Sequence, residues 1–254
     1  MLNISPLLVG TALSVLATFL VAPAIAAEPQ KTVVLVHGAF AGASSWDKVV
    51  PLLEAEGLKV VTVDNPLTSL KADADAATEV INAQPGPVIL VGHSWGGVVI
   101  GAAGNDDKVK ALVYVAAFAP PPGVSVNALS EGQPPLPWLA DVVPDNAGNL
   151  LLSDEGVATY FAQDLPAGEI ADIAKEQEKT FGGLFDESVE QPAYLSKPSW
   201  YIVAKQDGMI PPPAEEAMAA GIKAKTTEID GSHVIMLSHP DDVAKVILDA
   251  AASI

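Results

Sequence analysis

Six short apolar runs recur along the chain, and stretches with helical spacing lie between most of them. The apolar runs are at residues 32–36, 59–63, 87–91, 111–116, 199–204 and 225–229. The helical stretches lie near 46–56, 68–83, 95–104, 213–221 and 240–252. Continuous apolar runs of this length are typical of strands buried on both faces. The alternation predicts a single α/β domain over residues 27–254, with a mostly parallel sheet of about six strands covered by helices on both faces.

The alternation stops between residues 119 and 197. This stretch opens with the run Pro120-Pro121-Pro122-Gly123 and continues through acidic segments with helical character. We expect it to be an insertion outside the main sheet. From the residues alone it could be a cap over a site, a surface excursion or a module that binds a partner.

The third apolar run leads directly into Gly-His-Ser-Trp-Gly at residues 92–96. A Gly-x-Ser-x-Gly corner between a strand and a helix is the nucleophile elbow, where the serine backbone is strained and its hydroxyl is lifted clear of the sheet. Glycine two residues before and two residues after the serine makes that sharp turn sterically possible. We therefore predict Ser94 as a nucleophile.

A serine nucleophile needs a base, and the base needs an acid that orients it. His233 follows the last predicted strand, and Asp207 follows the strand before it, so the chain order is Ser, Asp, His. The strand at 111–116 has no acid at its end, and Asp230 is too close in sequence to reach around His233 easily. We predict a catalytic triad of Ser94, Asp207 and His233.

The oxyanion formed by attack of Ser94 needs two fixed donors, which are usually backbone N–H groups. One is expected from Trp95, directly after the nucleophile. The other is expected from the loop after the first strand, where small residues at 37–42 let the backbone approach closely. We assign this second donor to Ala39.

These motifs resemble those of the α/β-hydrolase superfamily. The similarity rests on residues 36–39, 92–96, 207–211 and 231–233. The longer stretches 37–46 and 232–240 are similar to the branch that holds plant hydroxynitrile lyases, plant methyl esterases and bacterial carboxylesterases. The resemblance extends from about Lys31 to the end of the chain and implies an α/β-hydrolase fold in which residues 119–197 form a helical cap over the pocket.

The resemblance also implies an activity. The lyases of this branch carry a lysine after the catalytic histidine, where this chain has Val234, and valine cannot stabilise a departing cyanide. Hydrolysis of a small to medium carboxylic ester is therefore expected. A ligand sensor that does not turn over, or lyase or perhydrolase chemistry on the same fold, are the alternatives. Under the cap we expect an apolar pocket that includes some of five aromatic residues: Phe40, Trp138, Phe161, Phe181 and Phe185.

The remaining histidines are expected to be structural. His37 and His93 lie within glycine motifs, and His239 opens the last helix. No clustered spacing typical of zinc ligands and no phosphate-binding loop of the Gly-x-x-x-x-Gly-Lys type occurs in the sequence. We expect neither a metal nor a cofactor.

The charge pattern limits the kinds of molecule that the protein is expected to bind. All 13 basic residues are lysine, and the formal net charge is −18. Without arginine the chain cannot form a bidentate guanidinium clamp on an anionic group, so a neutral small-molecule ester fits better than a carboxylate or phosphate. The acidic surface should repel nucleic acid and anionic membrane faces.

The amino terminus resembles an export signal. An apolar run from Leu7 to Ala27 ends in an Ala-x-Ala pattern, which predicts a signal peptide at residues 1–26 and a secreted or periplasmic protein. The run lacks a preceding lysine and is about 20 residues long, so an uncleaved membrane anchor is the alternative. There is no stable membrane partner if the signal is cleaved. The chain has no cysteine, so no disulfide is available to staple the domain.

Overall fold

The computed structural model describes residues 1–2 and 30–254. The predicted signal peptide therefore falls almost wholly outside the described residues. No helix in the described part of the chain is long and apolar enough to cross a bilayer.

The strands match the apolar runs closely. They are β1 (Thr32–Val36), β2 (Lys59–Val63), β3 (Val88–His93), β4 (Val109–Val115), β5 (Val142–Pro144), β6 (Asn149–Leu152), β7 (Thr180–Phe181), β8 (Ser199–Ala204) and β9 (Lys225–Ile229). Six of them form one sheet in the order β2-β1-β3-β4-β8-β9, and every neighbouring pair in it is parallel. The predicted sheet is confirmed.

The five predicted helices are also present, and further helices lie in the insertion and directly before the last helix. They are α1 (Val50–Ala55), α2 (Leu70–Asn82), α3 (Gly96–Ala103), α4 (Val126–Leu129), α5 (Asp154–Gly156), α6 (Ala167–Lys175), α7 (Pro212–Gly221), α8 (Ile235–Ser238) and α9 (Pro240–Ala252). Helix α1 packs against α9, and α2 packs against α3, which gives the sheet its two covering layers. The expected helix near 46–56 is split, since a 3₁₀ turn at Ala43–Trp46 precedes α1.

Burial follows position in the sheet. Every residue of β1, β3 and β8 is buried, whereas the edge strands β2 and β9 carry exposed lysines at Lys59 and Lys225. Helices cover both faces of the central strands, so side chains on both faces are apolar. This explains why apolar and polar residues do not alternate along these strands. Charged residues on an edge strand hinder its pairing with another chain.

The insertion is not purely helical. It holds α4, α5, α6 and several 3₁₀ turns, and also a small antiparallel sheet in the order β5-β6-β7. The insertion therefore combines short helices with a small sheet, which the expectation of a helical cap omits. Its strands have two to four residues, which is too short for a distinct periodic pattern in sequence.

The topology brings the predicted triad to one edge of the main sheet. Ser94 directly follows β3, Asp207 lies three residues after β8, and His233 lies four residues after β9. Because the strands are parallel, their carboxyl ends share that edge, where ligands of open α/β sheets bind.

Candidate active site

The backbone at Ser94 has the strained geometry that the elbow requires. Ser94 has a φ of 51°, in the left-handed region that residues with a side chain rarely adopt. Its carbonyl oxygen accepts hydrogen bonds from the N–H groups of Gly97 and Phe118, both at 3.0 Å. These bonds hold the strained corner between β3 and α3.

Close backbone approaches explain the glycines around Ser94. A Cβ atom on Gly92 would lie 2.4 Å from the carbonyl oxygen of Gly96, and one on Gly96 would lie 2.6 Å from that of Val36. A Cβ on Gly38, in the loop after β1, would lie 2.7 Å from the Cβ of Ser94. Real Cβ atoms do not approach other atoms so closely, so these positions require glycine.

Asp207 and His233 form a buried pair. The Nδ1 atom of His233 lies 2.6 Å from Oδ2 of Asp207, and the two residues are 1% and 7% exposed. The other carboxylate oxygen, Oδ1, accepts the N–H groups of Met209 at 2.7 Å and Ile210 at 2.8 Å. One oxygen of Asp207 therefore shapes its own loop while the other orients the imidazole, as an orienting acid must.

His93 connects the elbow to the histidine loop. Its Nε2 atom donates to the carbonyl oxygen of His233 at 2.9 Å, and the centroids of the two rings are 4.7 Å apart. Burial lowers the pKa of His93 well below its ordinary value, and the neighbouring His233 lowers it further. Among residues 30–254 no hydrogen bond joins the Ser94 hydroxyl to the His233 ring; the two residues are brought near each other through His93.

His37 has a comparable structural role in the first loop. Its Nε2 accepts the Asn65 N–H at 3.0 Å, so Nδ1 carries the proton and donates to the Gly38 carbonyl at 2.9 Å. The Asn65 side-chain amide in turn donates to the His37 carbonyl at 2.9 Å. Burial lowers the pKa of His37, so the ring is held neutral in the position that shapes the loop.

The two amides predicted to bind the oxyanion are free to donate. In the described part of the chain neither the Ala39 nor the Trp95 backbone N–H has a hydrogen-bond acceptor. Both residues are at least 96% buried, and buried amides without a partner are rare in folded proteins. Trp95 immediately precedes α3, so its amide also lies at the positive end of that helix.

The cap covers the loop that carries Asp207 and the face of His233. The indole N–H of Trp138 donates to the carbonyl oxygen of Met209 at 2.8 Å. Phe161, which is 1% exposed, has its ring centroid 5.3 Å from that of His233. These two of the five predicted pocket aromatics therefore lie against the acid and histidine side of the site.

The other side of the cap contacts the elbow and the first loop. Phe185 packs edge-to-face on Trp95 with a centroid separation of 5.6 Å. Phe40, buried at 4% exposure, donates its backbone N–H to the Thr180 hydroxyl at 3.0 Å. Phe40 and Phe185 thus also lie beside predicted site residues.

Phe181 is the one predicted pocket residue that lies elsewhere. Successive side chains of a strand point to opposite faces, and in β7 the fully buried residue is Thr180 while Phe181 is 39% exposed. Its ring packs beside the glycines at 148 and 183 on the outer side of the cap. Its expected place in the pocket is corrected accordingly.

Two buried carboxyl groups lie next to the site, and the sequence pattern predicts neither of them. Glu215 of α7 is fully buried; its Oε2 accepts the Ala204 N–H at 3.1 Å. Burial, together with the charge of Asp207, raises the pKa of Glu215 well above its ordinary value. In sequence no pattern distinguishes Glu215 from its exposed neighbour Glu216.

The second such group, Asp73 of α2, lies behind the elbow. It is fully buried, and its Oδ2 accepts the indole N–H of Trp95 at 2.8 Å. Burial raises its pKa, while the hydrogen bonds from Trp95 and from the Leu67 amide oppose that rise. In sequence Asp73 is one of several acidic residues of an amphipathic helix, and nothing there marks it as buried.

The residues at the site are of the kinds that acyl transfer uses. Within the described residues, no group of three or more histidine, aspartate or glutamate side chains is arranged to hold a metal ion. A strained serine, an imidazole hydrogen-bonded to a buried carboxyl group and two unpaired amides are the parts that nucleophilic attack on a carbonyl requires.

Comparison with known proteins supports the same chemistry. A family model described as the alpha/beta hydrolase family matches residues 33–246. The chain is 28% identical to polyneuridine aldehyde esterase of Rauvolfia serpentina over 260 residues, which cover 89% of this chain and 98% of that protein. It is also 28% identical to pyrethroid hydrolase of Sphingobium wenxiniae over 244 residues, covering 86% of this chain and 87% of that one.

The fold is shared with solved structures. The crystal structure of polyneuridine aldehyde esterase superposes with a TM-score of 0.76 at 25% sequence identity, and the match covers 87% of this chain and 99% of that one. The fold class expected from the motifs is therefore confirmed, and the insertion lies within the matched region of the family model.

Proposed function

Because this chain belongs to the alpha/beta hydrolase family, we propose that it is a serine hydrolase that cleaves small to medium, neutral carboxylic esters through an acyl-enzyme on Ser94. The observation that carries the proposal is the buried pair of His233 and Asp207, joined at 2.6 Å on loops adjacent to a strained serine. The named relatives, an aldehyde esterase and a pyrethroid hydrolase, support ester hydrolysis as the reaction class.

In the first half of the reaction, the Ser94 oxygen attacks the ester carbonyl carbon and His233 accepts the hydroxyl proton through Nε2. The tetrahedral intermediate then collapses with cleavage of the bond to the alkoxy oxygen, and His233 returns the proton to the departing alcohol. Water repeats both steps on the acyl-enzyme and releases the acid. Asp207 keeps the Nδ1 proton on the imidazole and stabilises the imidazolium, without becoming protonated itself.

The amides of Ala39 and Trp95 stabilise the negative charge that develops on the carbonyl oxygen. Donors fixed in advance in a site without bulk water are worth about a hundredfold or more in rate each. Both N–H groups lack an internal acceptor among the described residues, which leaves them available for the substrate oxygen.

The shape and charge of the site favour an uncharged substrate. The aromatic residues beside the site, Phe40, Trp138, Phe161 and Phe185, offer apolar surface, and the chain has no arginine with which to bind a carboxylate. The net charge of −18 adds long-range repulsion of anionic esters. We propose an apolar acyl or alcohol part of small to medium size.

We propose that the cap moves to admit the substrate. Ser94 is 6% exposed and His233 1% exposed, so little of either residue is open to solvent in this conformation. In this proposal the hydrogen bond between the Ser94 hydroxyl and the His233 ring forms when the substrate binds, since catalytic hydrogen bonds often tighten only in the complex.

The first test is turnover of p-nitrophenyl acetate and p-nitrophenyl butyrate by the purified protein, with and without a serine-directed phosphonate. Sustained release that the phosphonate abolishes is expected. The low exposure of the site would also suit a sensor that retains its ligand, and a single slow stoichiometric burst would favour that function instead. Cleavage of mandelonitrile would favour a lyase; we expect none, because the residue after His233 is the buried Val234.

We also propose that the protein acts outside the cytoplasm after removal of residues 1–26. The support is the apolar run at residues 7–27 and the Ala-x-Ala pattern that ends it. Mass spectrometry of the protein recovered from the producing cells should show a chain that starts at Ala27. An intact amino terminus in the membrane fraction would contradict cleavage and support an anchor.

A further inference from the structure

We propose that Thr180, on the cap strand β7, is a positioning residue for the oxyanion hole, and that the cap thereby contributes to the chemical step as well as to substrate binding. The inference rests on the proposed function, because it requires Ala39 to supply one of the two oxyanion donors. Thr180 acts through the residue that follows Ala39 in the chain.

The central contact joins residues 140 positions apart. The backbone N–H of Phe40 donates to the Thr180 hydroxyl oxygen at 3.0 Å. Thr180 is fully buried and Phe40 is 4% exposed, so water does not replace this acceptor if it is lost. The bond anchors the peptide unit between Ala39 and Phe40.

The backbone at this point needs an anchor. Phe40 has a φ of 61°, a left-handed conformation that is unfavourable for a residue with a bulky side chain. Such a conformation persists only where surrounding contacts hold it. Without the Thr180 hydroxyl the loop can relax toward an ordinary φ, and this rotation would turn the neighbouring Ala39 N–H away from the substrate oxygen.

The same cap strand also connects to the second oxyanion donor. The N–H of Phe181 donates to the Leu67 carbonyl at 2.9 Å, and the Leu67 N–H donates to Oδ1 of Asp73 at 2.8 Å. Oδ2 of Asp73 accepts the Trp95 indole N–H at 2.8 Å. Leu67 is itself fully buried with a φ of 52°.

These contacts form an unbroken series of hydrogen bonds and adjacent peptide units from one predicted donor to the other. It runs from the Ala39 loop through β7, Leu67 and Asp73 to the side chain of Trp95. The cap strand is the only member of this series that lies outside the main domain, and Thr180 is its side-chain contact with the first loop. The fixed separation of the two donors therefore depends on the cap.

The test compares Thr180→Val with Thr180→Ser. Valine has nearly the same shape but cannot accept the Phe40 N–H, whereas serine keeps the acceptor and loses only a methyl group. Thr32→Val is the matched control, because Thr32 is also fully buried and its hydroxyl has no hydrogen-bond partner among the described residues. If valine at position 180 prevents folding, Thr180→Ala removes the same acceptor without added bulk and is measured in its place.

Kinetics on p-nitrophenyl acetate provide the first measurement. We expect kcat of Thr180→Val to fall by about tenfold to a hundredfold with KM within about twofold, since loss of one oxyanion donor outright costs about a hundredfold or more. Thr180→Ser should stay within about threefold of the unmodified protein, and Thr32→Val should leave kcat unchanged. A kcat for Thr180→Val equal to that of Thr32→Val would overturn the proposal.

Binding of a trifluoromethyl ketone separates positioning from a general loss of structure. Ser94 adds to the ketone carbonyl to form a hemiketal oxyanion, so the inhibition constant reports on the oxyanion hole. It should rise in Thr180→Val by the same factor as kcat/KM falls, while inhibition by a neutral apolar alcohol, which places no oxyanion between the two amides, stays constant. Equal weakening of both inhibitors would indicate a merely structural role and would contradict the proposal.

The outcome for Thr180 is distinguishable from that for the proposed function. If the unmodified protein shows no turnover that depends on Ser94, the proposed function fails before the variants are compared. If it turns over the ester and Thr180→Val does so equally well, only the role of Thr180 fails.

Discussion

The elbow at Ser94 and the cap contribute to the same site by different physical means. At the elbow the backbone sets the geometry: Ser94 has a φ of 51°, and a Cβ at position 92 or 96 would overlap a carbonyl oxygen. In the cap, individual side chains make the contacts: Thr180, Trp138 and Phe161 lie against loops of the main domain.

The difference indicates how each region tolerates change. A backbone that needs glycine at fixed spacing allows almost no substitution, so the elbow keeps a short recognisable motif. Side-chain contacts from a cap can be supplied from many positions, so the cap needs no particular sequence pattern. A site covered by such a cap can change its substrate while its reactive groups stay in place.

The largest expected effect tests the elbow. Ser94→Ala should lower kcat on p-nitrophenyl butyrate by about a millionfold, because the nucleophile is lost while the remaining site stays intact. Ser199→Ala is the control, since Ser199 is also buried but lies at the start of β8, away from the site. Retention of more than a thousandth of the activity in Ser94→Ala would show that another group performs the attack.

The second prediction concerns Asp207, whose loop accepts a hydrogen bond from the cap residue Trp138. Asp207→Asn should lower kcat by about ten-thousandfold, because an asparagine amide favours the wrong imidazole tautomer of His233. Asp230→Asn, on the loop next to His233, is the control and should lose less than about threefold. If the two variants lost activity equally, the orienting acid would not be Asp207.

The third prediction concerns Asp73, the main-domain residue that accepts the indole N–H of Trp95. In Asp73→Asn, one oxygen must accept where two carboxylate oxygens accepted before, and the amide group is placed against a donor. We expect a fall in kcat of about tenfold and a loss of about 1–3 kcal/mol in the free energy of unfolding. The control is Asp75→Asn on the same helix, an exposed residue paired with Lys71.

If the geometry of the elbow does not depend on the hydrogen bonds of Asp73, Asp73→Asn will lower the free energy of unfolding but leave kcat unchanged. That outcome would separate the elbow from the hydrogen bonds that connect it to the cap. Kinetics and urea unfolding on the same preparations distinguish the two results.

The smallest expected effect is on pH dependence. The pKa of Glu215 is raised in the folded protein, so folding takes up a proton once the pH exceeds the ordinary value of 4.5 for the unfolded chain. Its contribution to stability is full below that pH and is lost as the pH rises toward the folded pKa. Glu215→Gln should therefore gain stability over the unmodified protein by up to about 1.4 kcal/mol per pH unit within that window.

Urea unfolding from pH 4 to pH 8 measures this gain. Glu216→Gln, at the exposed neighbouring position, should follow the unmodified protein throughout. Parallel curves for Glu215→Gln and Glu216→Gln would mean that Glu215 is not held protonated. We expect kcat of Glu215→Gln to fall by less than about tenfold, since the hydrogen bonds of Asp207 to His233, Met209 and Ile210 stay in place.

Much of the main domain follows from local sequence. The strand starts and ends agree with the predicted runs to within about two residues. For the central strands the reason is that burial on both faces requires a nearly continuous apolar segment. The elbow can be predicted because a strained turn leaves few allowed residues. Asp207 and His233 can be placed near Ser94 because the carboxyl ends of parallel strands share one edge of the sheet. Their catalytic roles remain predictions that the variants above test.

The sequence by itself determined the parallel sheet, the position of the serine corner and the chain order of the three residues predicted as a triad, since each depends on a short segment or on chain order. Only the tertiary structure decided which polar groups are buried: Glu215 rather than Glu216, Asp73 rather than Asp75, and Thr180 rather than Phe181 facing inward. The physical reason is that burial depends on what packs against a residue, and for these residues the packing partners come from segments distant in the chain.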